Sequence, residues 1–554
     1  MEHRQVKLSV AVAGLVVFMF WNMRCLEAGR NGDVTDAGPG GSRVPPTLAL
    51  TTFALGPLRG LIVDALWWRM IQHQDEGNHF ETMQLTEWIT ALQPRFPQVW
   101  AFHAWNLSYN VAHEFADPDT RWQWIQRSIR LLRDDGLRYN PGSLVIRKQL
   151  ASIFLDRICR RGDPGQKFFQ RNWALQVMLF LEDGSAEEIG RLRDAAVSAE
   201  ELAKRPGVAA LVSAGRTVGL DLTDFRVVLA GSTWTDGQKQ ACELPEHAPA
   251  LRDLHQWARA QGVSVELGMN LGQMLRIDSE YGPFDWRLPQ AHAVYWAAGE
   301  TTFAEFASQG EQIQGTMIRQ AMEEALHNGR LLYDSTSGFF MTTNNLQVVG
   351  RIHDYYDVLM QGDFSEHTDE LHRAFLEEAI AVVYSFNHDA AARELFGHYV
   401  EDYPLPPGVT TFEAFVAAQM HRVVNARNFR ETGSVVHAAL FQAYFWLSTG
   451  DSQRAKGYAR MAKLLWDRHQ RRVAHAPERQ LPPFDDMKAA ARSRLLSREM
   501  APVLRGRLKN AAAEIEVGAG DGHEVESVYL GEHAARGHGL KEKRLQADDR
   551  AREH

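Results

Sequence analysis

The segment EGNHFETMQLTEWITALQPRFPQVWAFHAW, Glu76–Trp105, decides the fold class of this chain. Gly77 frees the backbone for a turn, and Pro94, 17 residues later, blocks the continuation of a helix. Trp100 stands 34 residues after Leu66 and opens the next helical stretch. This spacing predicts successive helical hairpins, with large aromatic side chains filling the space between neighbouring helices.

The same spacing recurs in later parts of the chain. Asn387 and Pro404 are again 17 residues apart, and Gly450 takes the place of a turn glycine between two helical stretches. The other residues at corresponding positions are Leu150, Ala151 and Phe154 after Pro141; Tyr295, Gly299 and Ala304; Ala392; and Ala443, Ala455 and Ala462. Repetition of one unit at fixed spacing is typical of helical-repeat proteins.

On these residues the chain resembles tetratricopeptide-repeat (TPR) proteins, whose unit is a helical hairpin of about 34 residues. The resemblance is clearest over residues 60–160 and 375–470. It implies an all-α fold, a TPR-like right-handed α-solenoid of helical hairpins. The form is also similar to large membrane-anchored repeat proteins of bacteria, a likeness that implies no activity. The chain departs from the pattern where the family has a small glycine, which is replaced by Met70, Ala104, Ala151, His292 and Ala443.

The sequence divides into six segments of different composition. We expect a small β-hairpin inside the fourth, where apolar runs flank the turn STSG, and a short strand within FRVVLAGSTWTDGQ. The segments are a signal-anchor or transmembrane helix at 1–26, a flexible tether at 27–47, N-terminal TPR-like repeats at 48–180, an irregular, non-repeat helical middle region at 181–345 with the hairpin at 329–345, C-terminal TPR-like repeats at 346–505, and a charged, disordered tail at 506–554.

The apolar stretch near the N-terminus predicts a membrane anchor. Leu8–Trp21 is 14 apolar residues long, which suits a signal peptide, and its flanks extend it to a short membrane-spanning helix. The following residues WNMRC offer no small-residue cleavage site, so we expect an uncleaved single-pass anchor rather than a cleaved signal. Basic residues are nearly balanced on its two sides. We expect the bulk of the protein to be extracytoplasmic or periplasmic, with the cytoplasmic orientation as the alternative.

Composition argues against several function classes. The net charge of −9 gives no electrostatic support for nucleic-acid binding. Three cysteines contain no CxxC motif, and the one pairing to consider, Cys159 with Cys242, is not expected. The chain has no HExxH, G-x-S-x-G, P-loop or dinucleotide fingerprint, so we predict no enzyme activity, no cofactor and no metal site. The histidines of the tail, which could bind a metal weakly, are read as solvated: His523, His533, His538 and His554.

The first helix of each TPR hairpin lines the concave groove in that family. Carrying the groove positions over implies a surface for a protein or peptide partner, with aromatic anchors of the kind that dominate interfaces. The alternative is that these aromatic residues fill gaps between helices or touch the segment Leu48–Trp68, which could itself lie on a membrane. The groove residues are Asp64, Trp67 and Gln74 in the first repeat, Trp105 and Tyr109 in the second, and Lys148 and Asp156 in the third.

A second candidate site lies in YGPFDWRLPQAHAVYWA, where Asp285, Arg287, His292 and Trp296 could form a polar-aromatic pocket. The alternative is a tightly packed helix start in which Arg287 pairs with a carboxylate. The main prediction is therefore a non-enzymatic, membrane-tethered scaffold for protein–protein interaction. The second is an extracytoplasmic enzyme or glycan-binding protein with its pocket near residues 285–296.

Overall fold

The structure, a computed structural model, describes residues 58–159, 163, 165–195, 198–301, 313–334, 339–362, 366–386, 388–423, 429–475, 480–496 and 508. These residues are mostly helical, and their only sheet has two strands. The predicted all-α class is confirmed. The signal-anchor at 1–26, the tether at 27–47 and, apart from Leu508, the tail at 506–554 lie outside the described residues. None of the described helices is both long and apolar enough to cross a membrane.

The chain divides into two compact units. The described part of the first unit covers residues 58–99 and 139–141 and contains helices α1 (Leu58–Asp75) and α2 (His79–Leu92). Gly77 lies between them with φ 75°, a left-handed conformation that favours glycine, and so ends α1 where the sequence predicts a turn. The two helices share a small core formed by Val63, Ile89 and Val99.

Three threonines of α2 are buried at four-residue spacing. The hydroxyls of Thr86 and Thr90 each donate a hydrogen bond to the carbonyl oxygen four residues earlier, at 2.9 and 3.0 Å, and Thr82 does the same to Asn78 at 2.9 Å. A buried hydroxyl without a partner would cost free energy, and these internal bonds remove that cost. One face of α2 can therefore be buried although it is partly polar.

The second unit covers the described residues of 100–138 and 142–508. Its first part consists of helices interrupted by π-helical turns. In chain order these are α3 (Pro97–Trp105), which begins in the first unit, the π-helical turn Asn106–Asn110, a 3₁₀ turn Val111–Glu114, α4 (Pro118–Arg130), the π-helical turn Leu131–Gly136, α5 (Leu137–Tyr139), which ends in the first unit, α6 (Leu144–Ser152), the π-helical turn Ile153–Cys159 and α7 (Gln166–Val177).

The middle region is helical, as predicted. The strand expected within FRVVLAGSTWTDGQ is wrong: Phe225–Leu229 is a helix that Asp224 caps by accepting a hydrogen bond from the Arg226 backbone N–H. The apolar side chains of this helix pack into a helical core, so tertiary packing overrides their β propensity. The helices are α8 (Ala186–Ala195), α9 (Ala199–Ala203), α10 (Val208–Thr217), α11 (Phe225–Leu229), α12 (Asp236–Cys242) and α13 (Ala248–Val265), with 3₁₀ turns at Gly231–Thr233 and Pro245–His247.

The next three helices are α14 (Leu271–Tyr281), α15 (Pro289–Ala298) and α16 (Ile313–Asn328). Every residue of α15 is buried, so this helix lies in the core of the second unit. The hairpin expected at 329–345 is present as β1 (Arg330–Asp334) and β2 (Phe339–Thr343), antiparallel with Arg330 opposite Thr343. Cys159 and Cys242 are buried free thiols.

The C-terminal part consists of paired helices. Gly450, at φ 93°, ends one long helix and is followed by another, at the position that the repeat spacing predicts. After a 3₁₀ turn at Leu346–Val348 the helices are α17 (Val349–Gly362), α18 (Glu366–Ser385), α19 (Asp389–Asp402), α20 (Phe412–Val423), α21 (Phe429–Thr449), α22 (Ser452–Arg472) and α23 (Phe484–Leu495).

Candidate functional site

The predicted groove residues of the first unit, on α1, differ in exposure. Asp64 is exposed, whereas Trp67 and Gln74 are half-buried. Trp67 packs against the core formed by Val63, Ile89 and Val99. In this unit the predicted aromatic anchor therefore fills the space between helices, which is the alternative that the sequence left open.

In the second unit two predicted groove residues lie side by side. The rings of Trp105 and Tyr109 stack with centroids 6.2 Å apart and planes 22° apart. Both side chains are half-buried, so each keeps part of its ring in solvent. The Tyr109 hydroxyl lies 3.3 Å from the Ser152 hydroxyl, which belongs to the helix of the next predicted repeat. The structure thus brings together residues from two successive predicted hairpins.

Three polar residues continue this surface along α6 and its π-helical extension. Lys148, Ser152 and Asp156 follow one another at four-residue spacing, which places them on one helix face. The Ser152 hydroxyl donates a hydrogen bond of 3.0 Å to the Asp156 carboxylate. Lys148 is half-buried and forms no ion pair with any residue that the structure describes. We call this set the Trp105–Asp156 surface: Trp105, Tyr109, Lys148, Ser152 and Asp156.

Two members of the Trp105–Asp156 surface, Tyr109 and Asp156, lie in π-helical turns. π-Helical turns are rare in proteins overall, but those that occur are often found at functional sites. The guanidinium of Arg157 lies 5.1 Å from the centre of the Tyr109 ring and 3.2 Å from the carboxylate of Asp163. Burial lowers the pKa of Arg157, and the Asp163 carboxylate opposes that effect. Arg157, held by Asp163, thus restrains the position of the Tyr109 ring.

The second candidate site is held together by structural contacts. Arg287 and Asp285 form a bidentate ion pair, with bonds of 2.9 and 2.8 Å from Nε and Nη2. The Asp285 carboxylate also accepts from the Leu331 backbone N–H at 2.9 Å, and Arg287 donates to the Glu182 carbonyl at 3.0 Å. The pair therefore connects the loop before α8 to strand β1. This arrangement agrees with the alternative interpretation of the sequence, a packed helix start in which Arg287 pairs with a carboxylate.

The other two residues of that site lie in the buried helix α15. His292 is packed against Phe154 and Trp173, with ring centroids at 5.3 and 4.9 Å. Its Nε2 lies 2.9 Å from the Trp286 carbonyl oxygen, which can only accept, so Nε2 carries the proton. Burial lowers the pKa of His292 to about 4, so the ring is neutral at pH 7. Trp296 is also buried, with its ring edge-on to Tyr295.

Sequence reasoning missed a buried group of potential metal ligands. His353, Asp357 and His372 each offer a ligand atom, and these atoms all lie within 4.8 Å of one another. The signal was present in HDYYD, where a histidine and an aspartate four residues apart share one face of a helix. The search for complete motifs such as HExxH overlooks a site whose third residue, His372, comes from another helix.

Sequence reasoning also missed exposed apolar residues on the first unit. Trp68 is 67% exposed and Trp88 is 50% exposed, and Leu61 and Ile71 share the exposed face of α1 with Trp68. The repeat spacing assigned the groove position to Trp67, although the neighbouring Trp68 is the residue that faces solvent.

No protein-family model, curated protein or solved structure matches the chain. The function is therefore inferred from these residues alone.

Proposed function

We propose that the protein is a TPR-like helical scaffold that binds a peptide segment of a partner protein at the Trp105–Asp156 surface. The observation that carries this proposal is the hydrogen-bond distance between Tyr109 and Ser152, which come from successive predicted hairpins. In a TPR groove, residues at these positions belong to neighbouring first helices and contact the same ligand. The scaffold itself needs no catalytic residue.

The helix packing supports the repeat interpretation. At the position where the TPR family has its small glycine, the five residues of this chain are all buried: Met70, Ala104, Ala151, His292 and Ala443 are between 0% and 1% exposed. Burial at one repeat position in several hairpins is what a repeated packing geometry requires. The hairpins at Gly77 and Gly450 also turn where the spacing predicts.

The chemistry of the Trp105–Asp156 surface suits a peptide with one apolar and one acidic side chain. Trp105 and Tyr109 offer stacked aromatic faces that remain partly in solvent, and such residues contribute most to binding free energy at interfaces. Lys148 offers an ammonium group to an acidic residue of the ligand. Asp156 offers carboxylate oxygens to a backbone N–H of the ligand, in addition to the bond from Ser152.

The first prediction concerns partner binding. Full-length protein from detergent-solubilised membranes is used for affinity capture, and captured proteins are quantified for wild type and for the double variant Trp105→Ala/Tyr109→Ala. We expect the double variant to capture at least about tenfold less of a partner than wild type does, since each aromatic anchor contributes about 2 kcal/mol or more to binding at an interface. Circular dichroism spectra of the two proteins should agree.

Trp88→Ala is the matched control, because it removes an exposed tryptophan from the first unit. A partner retained by Trp88→Ala and lost by the double variant supports the proposed surface. The opposite pattern would place the binding function on the exposed apolar residues of the first unit. Capture of identical partners by all three proteins would refute the proposal.

We propose further that Leu8–Trp21 tethers the scaffold to a membrane with its bulk outside the cytoplasm. This proposal rests on the sequence of the apolar segment and its signal-like length. Alkaline phosphatase, which is active only outside the cytoplasm, is fused after Met23 and again after Leu496, and a fluorescent protein that matures in the cytoplasm is used as the reciprocal reporter. Phosphatase activity at both positions is expected. Fluorescence at both would reverse the orientation, and recovery of the protein in the soluble fraction would remove the tether.

A further inference from the structure

The buried group formed by His353, Asp357 and His372 lies in the C-terminal part of the second unit. His353 and Asp357 belong to α17, and His372 belongs to α18, the next helix of the chain. All three residues are buried: the exposed fractions are 1% for His353, 4% for Asp357 and 0% for His372. Placing a carboxylate in the low-dielectric interior costs free energy unless positive charge or hydrogen bonds compensate for it.

We propose that His353, Asp357 and His372 bind a divalent transition-metal ion. The ligand atoms of the three residues lie within 4.8 Å of one another, so one ion can reach all of them after small side-chain rotations. Two imidazoles and one carboxylate form a ligand set that suits Zn²⁺, Fe²⁺ and Co²⁺, and that suits Ca²⁺ or Mg²⁺ poorly. This inference does not depend on the proposed peptide-binding surface.

The first observation in favour is the rigid placement of the ligands. His353 and Asp357 are four residues apart on α17, which directs both side chains from the same helix face. His372 approaches from α18, and its Nε2 lies 3.0 Å from His353 Nδ1. Ligands supplied by helices keep their positions better than ligands supplied by loops, which favours a preorganised site.

The second observation is an outer layer of hydrogen bonds. His372 Nδ1 lies 2.8 Å from the Tyr403 hydroxyl, and that hydroxyl lies 3.1 Å from the Asp369 carboxylate. A carboxylate only accepts, so Tyr403 donates to Asp369 and accepts from His372 Nδ1–H. The proton of His372 is thereby held on Nδ1, and the lone pair of Nε2 points towards His353. Metal-binding histidines are oriented by such outer partners.

The third observation concerns the metal-free arrangement. The ring centroids of His353 and His372 are 5.2 Å apart, and the ring planes are inclined by only 16°. The nearest nitrogens of the two rings are 3.0 Å apart. The two rings therefore lie nearly end to end in one plane, and His353 Nδ1–H donates to the lone pair of His372 Nε2. A metal ion displaces such a proton when it binds. A hydrogen bond between two histidines needs no third group. The buried Asp357 carboxylate adds a third ligand to the two imidazoles and so completes a ligand set for a metal ion.

The role of the ion follows from the burial of its ligands. All three ligand residues are almost fully buried, and closed sites of this kind are structural rather than catalytic. It fastens α17 to α18, and α19 joins through His398, whose Nδ1 lies 3.2 Å from His353 Nε2. We expect chelation of the ion to lower the melting temperature of the protein by several degrees, because a ligand that binds only the folded state stabilises it.

The test uses full-length protein freed of metal with a chelator and then titrated with Co²⁺ and Zn²⁺. Co²⁺ gives visible absorption bands that report nitrogen and oxygen ligands, and Zn²⁺ is measured by its competition with Co²⁺. We expect wild type to bind about one ion per chain with a rise in melting temperature. His367→Ala is the matched control, since His367 is exposed on the same helix as His372. This variant should bind like wild type.

Asp357→Asn and His372→Ala remove one ligand each and should abolish both the Co²⁺ bands and the rise in melting temperature. Tyr403→Phe leaves every ligand in place and should weaken Co²⁺ binding about 10- to 100-fold by releasing His372. Should His372→Ala fail to fold, Asp357→Asn and Tyr403→Phe decide the question. Wild type without a stoichiometric ion, or Asp357→Asn that binds as tightly as wild type, overturns the proposal and leaves a metal-free pair of hydrogen-bonded histidines.

Discussion

Glu188→Ala is expected to lower the free energy of unfolding by about 3–5 kcal/mol, because it removes one partner of a buried ion pair. Glu188 is 2% exposed and pairs with the guanidinium of Arg259. Its carboxylate also accepts hydrogen bonds from the backbone N–H groups of Glu182, Asp183 and Gly184, at 2.7, 3.1 and 2.8 Å. Alanine leaves the cation and the three donors without this acceptor.

The prediction is checked by urea denaturation followed by tryptophan fluorescence. Glu188→Gln keeps an acceptor oxygen and loses the charge, so its effect should lie between those of wild type and Glu188→Ala. Glu187→Ala is the control, because Glu187 is the exposed neighbour on the same helix; it should change the free energy of unfolding by less than about 0.5 kcal/mol. Equal effects at positions 187 and 188 would show that the buried pair does not stabilise the loop at 182–184.

Acidification from pH 7 to pH 5 is expected to cost about 2 kcal/mol of stability through His292 alone. Burial lowers the pKa of His292 to about 4 in the folded protein, against the ordinary histidine pKa of 6.5 in the unfolded chain. Above pH 6.5 the ring is neutral in both states and contributes no pH dependence. As the pH falls from 6.5 towards 4, the unfolded chain takes up a proton that the folded chain excludes, so the folded state loses stability.

His292→Gln removes this titration and can keep a donor for the Trp286 carbonyl oxygen. The readout is the change in unfolding free energy between pH 7 and pH 5, which should be about 2 kcal/mol smaller in the variant than in wild type. We expect the variant to be less stable at pH 7 because it loses the ring contacts with Phe154 and Trp173, and this loss cancels in the difference between the two pH values. His367→Gln, at an exposed position, serves as the control. An unchanged difference in His292→Gln would contradict a neutral, buried His292.

A second buried histidine adds to the acid sensitivity. Burial, together with the charge of Arg127, lowers the pKa of His103 to about 3. The sign is the same as for His292, since the folded protein excludes the proton that the unfolded chain binds below pH 6.5. The protein should therefore remain acid-sensitive after His292 is replaced. Replacing both His292 and His103 should remove more of the pH dependence than replacing either alone.

Part of the candidate site could be predicted from local sequence. The repeat spacing predicted Tyr109 and Asp156 as groove residues, and the structure brings both within hydrogen-bond distance of the Ser152 hydroxyl. It also identified Trp67, which packs into the core of the first unit instead. Spacing gives the helix face of a residue but not the neighbour that covers that face, so it cannot distinguish an exposed aromatic side chain from a buried one.

The sequence alone determined the helical class, the breaks at Gly77, Pro94 and Gly450, and the hairpin at 329–345, because turn residues and apolar periodicity act over a few neighbouring residues. Only the tertiary structure decided which distant side chains meet. Arg287 reaches the Glu182 carbonyl in the loop before α8, 105 residues earlier, and His372 reaches His353 from another helix. These contacts depend on how helices pack against each other, and the geometry of that packing is not written in the spacing of residues along one helix.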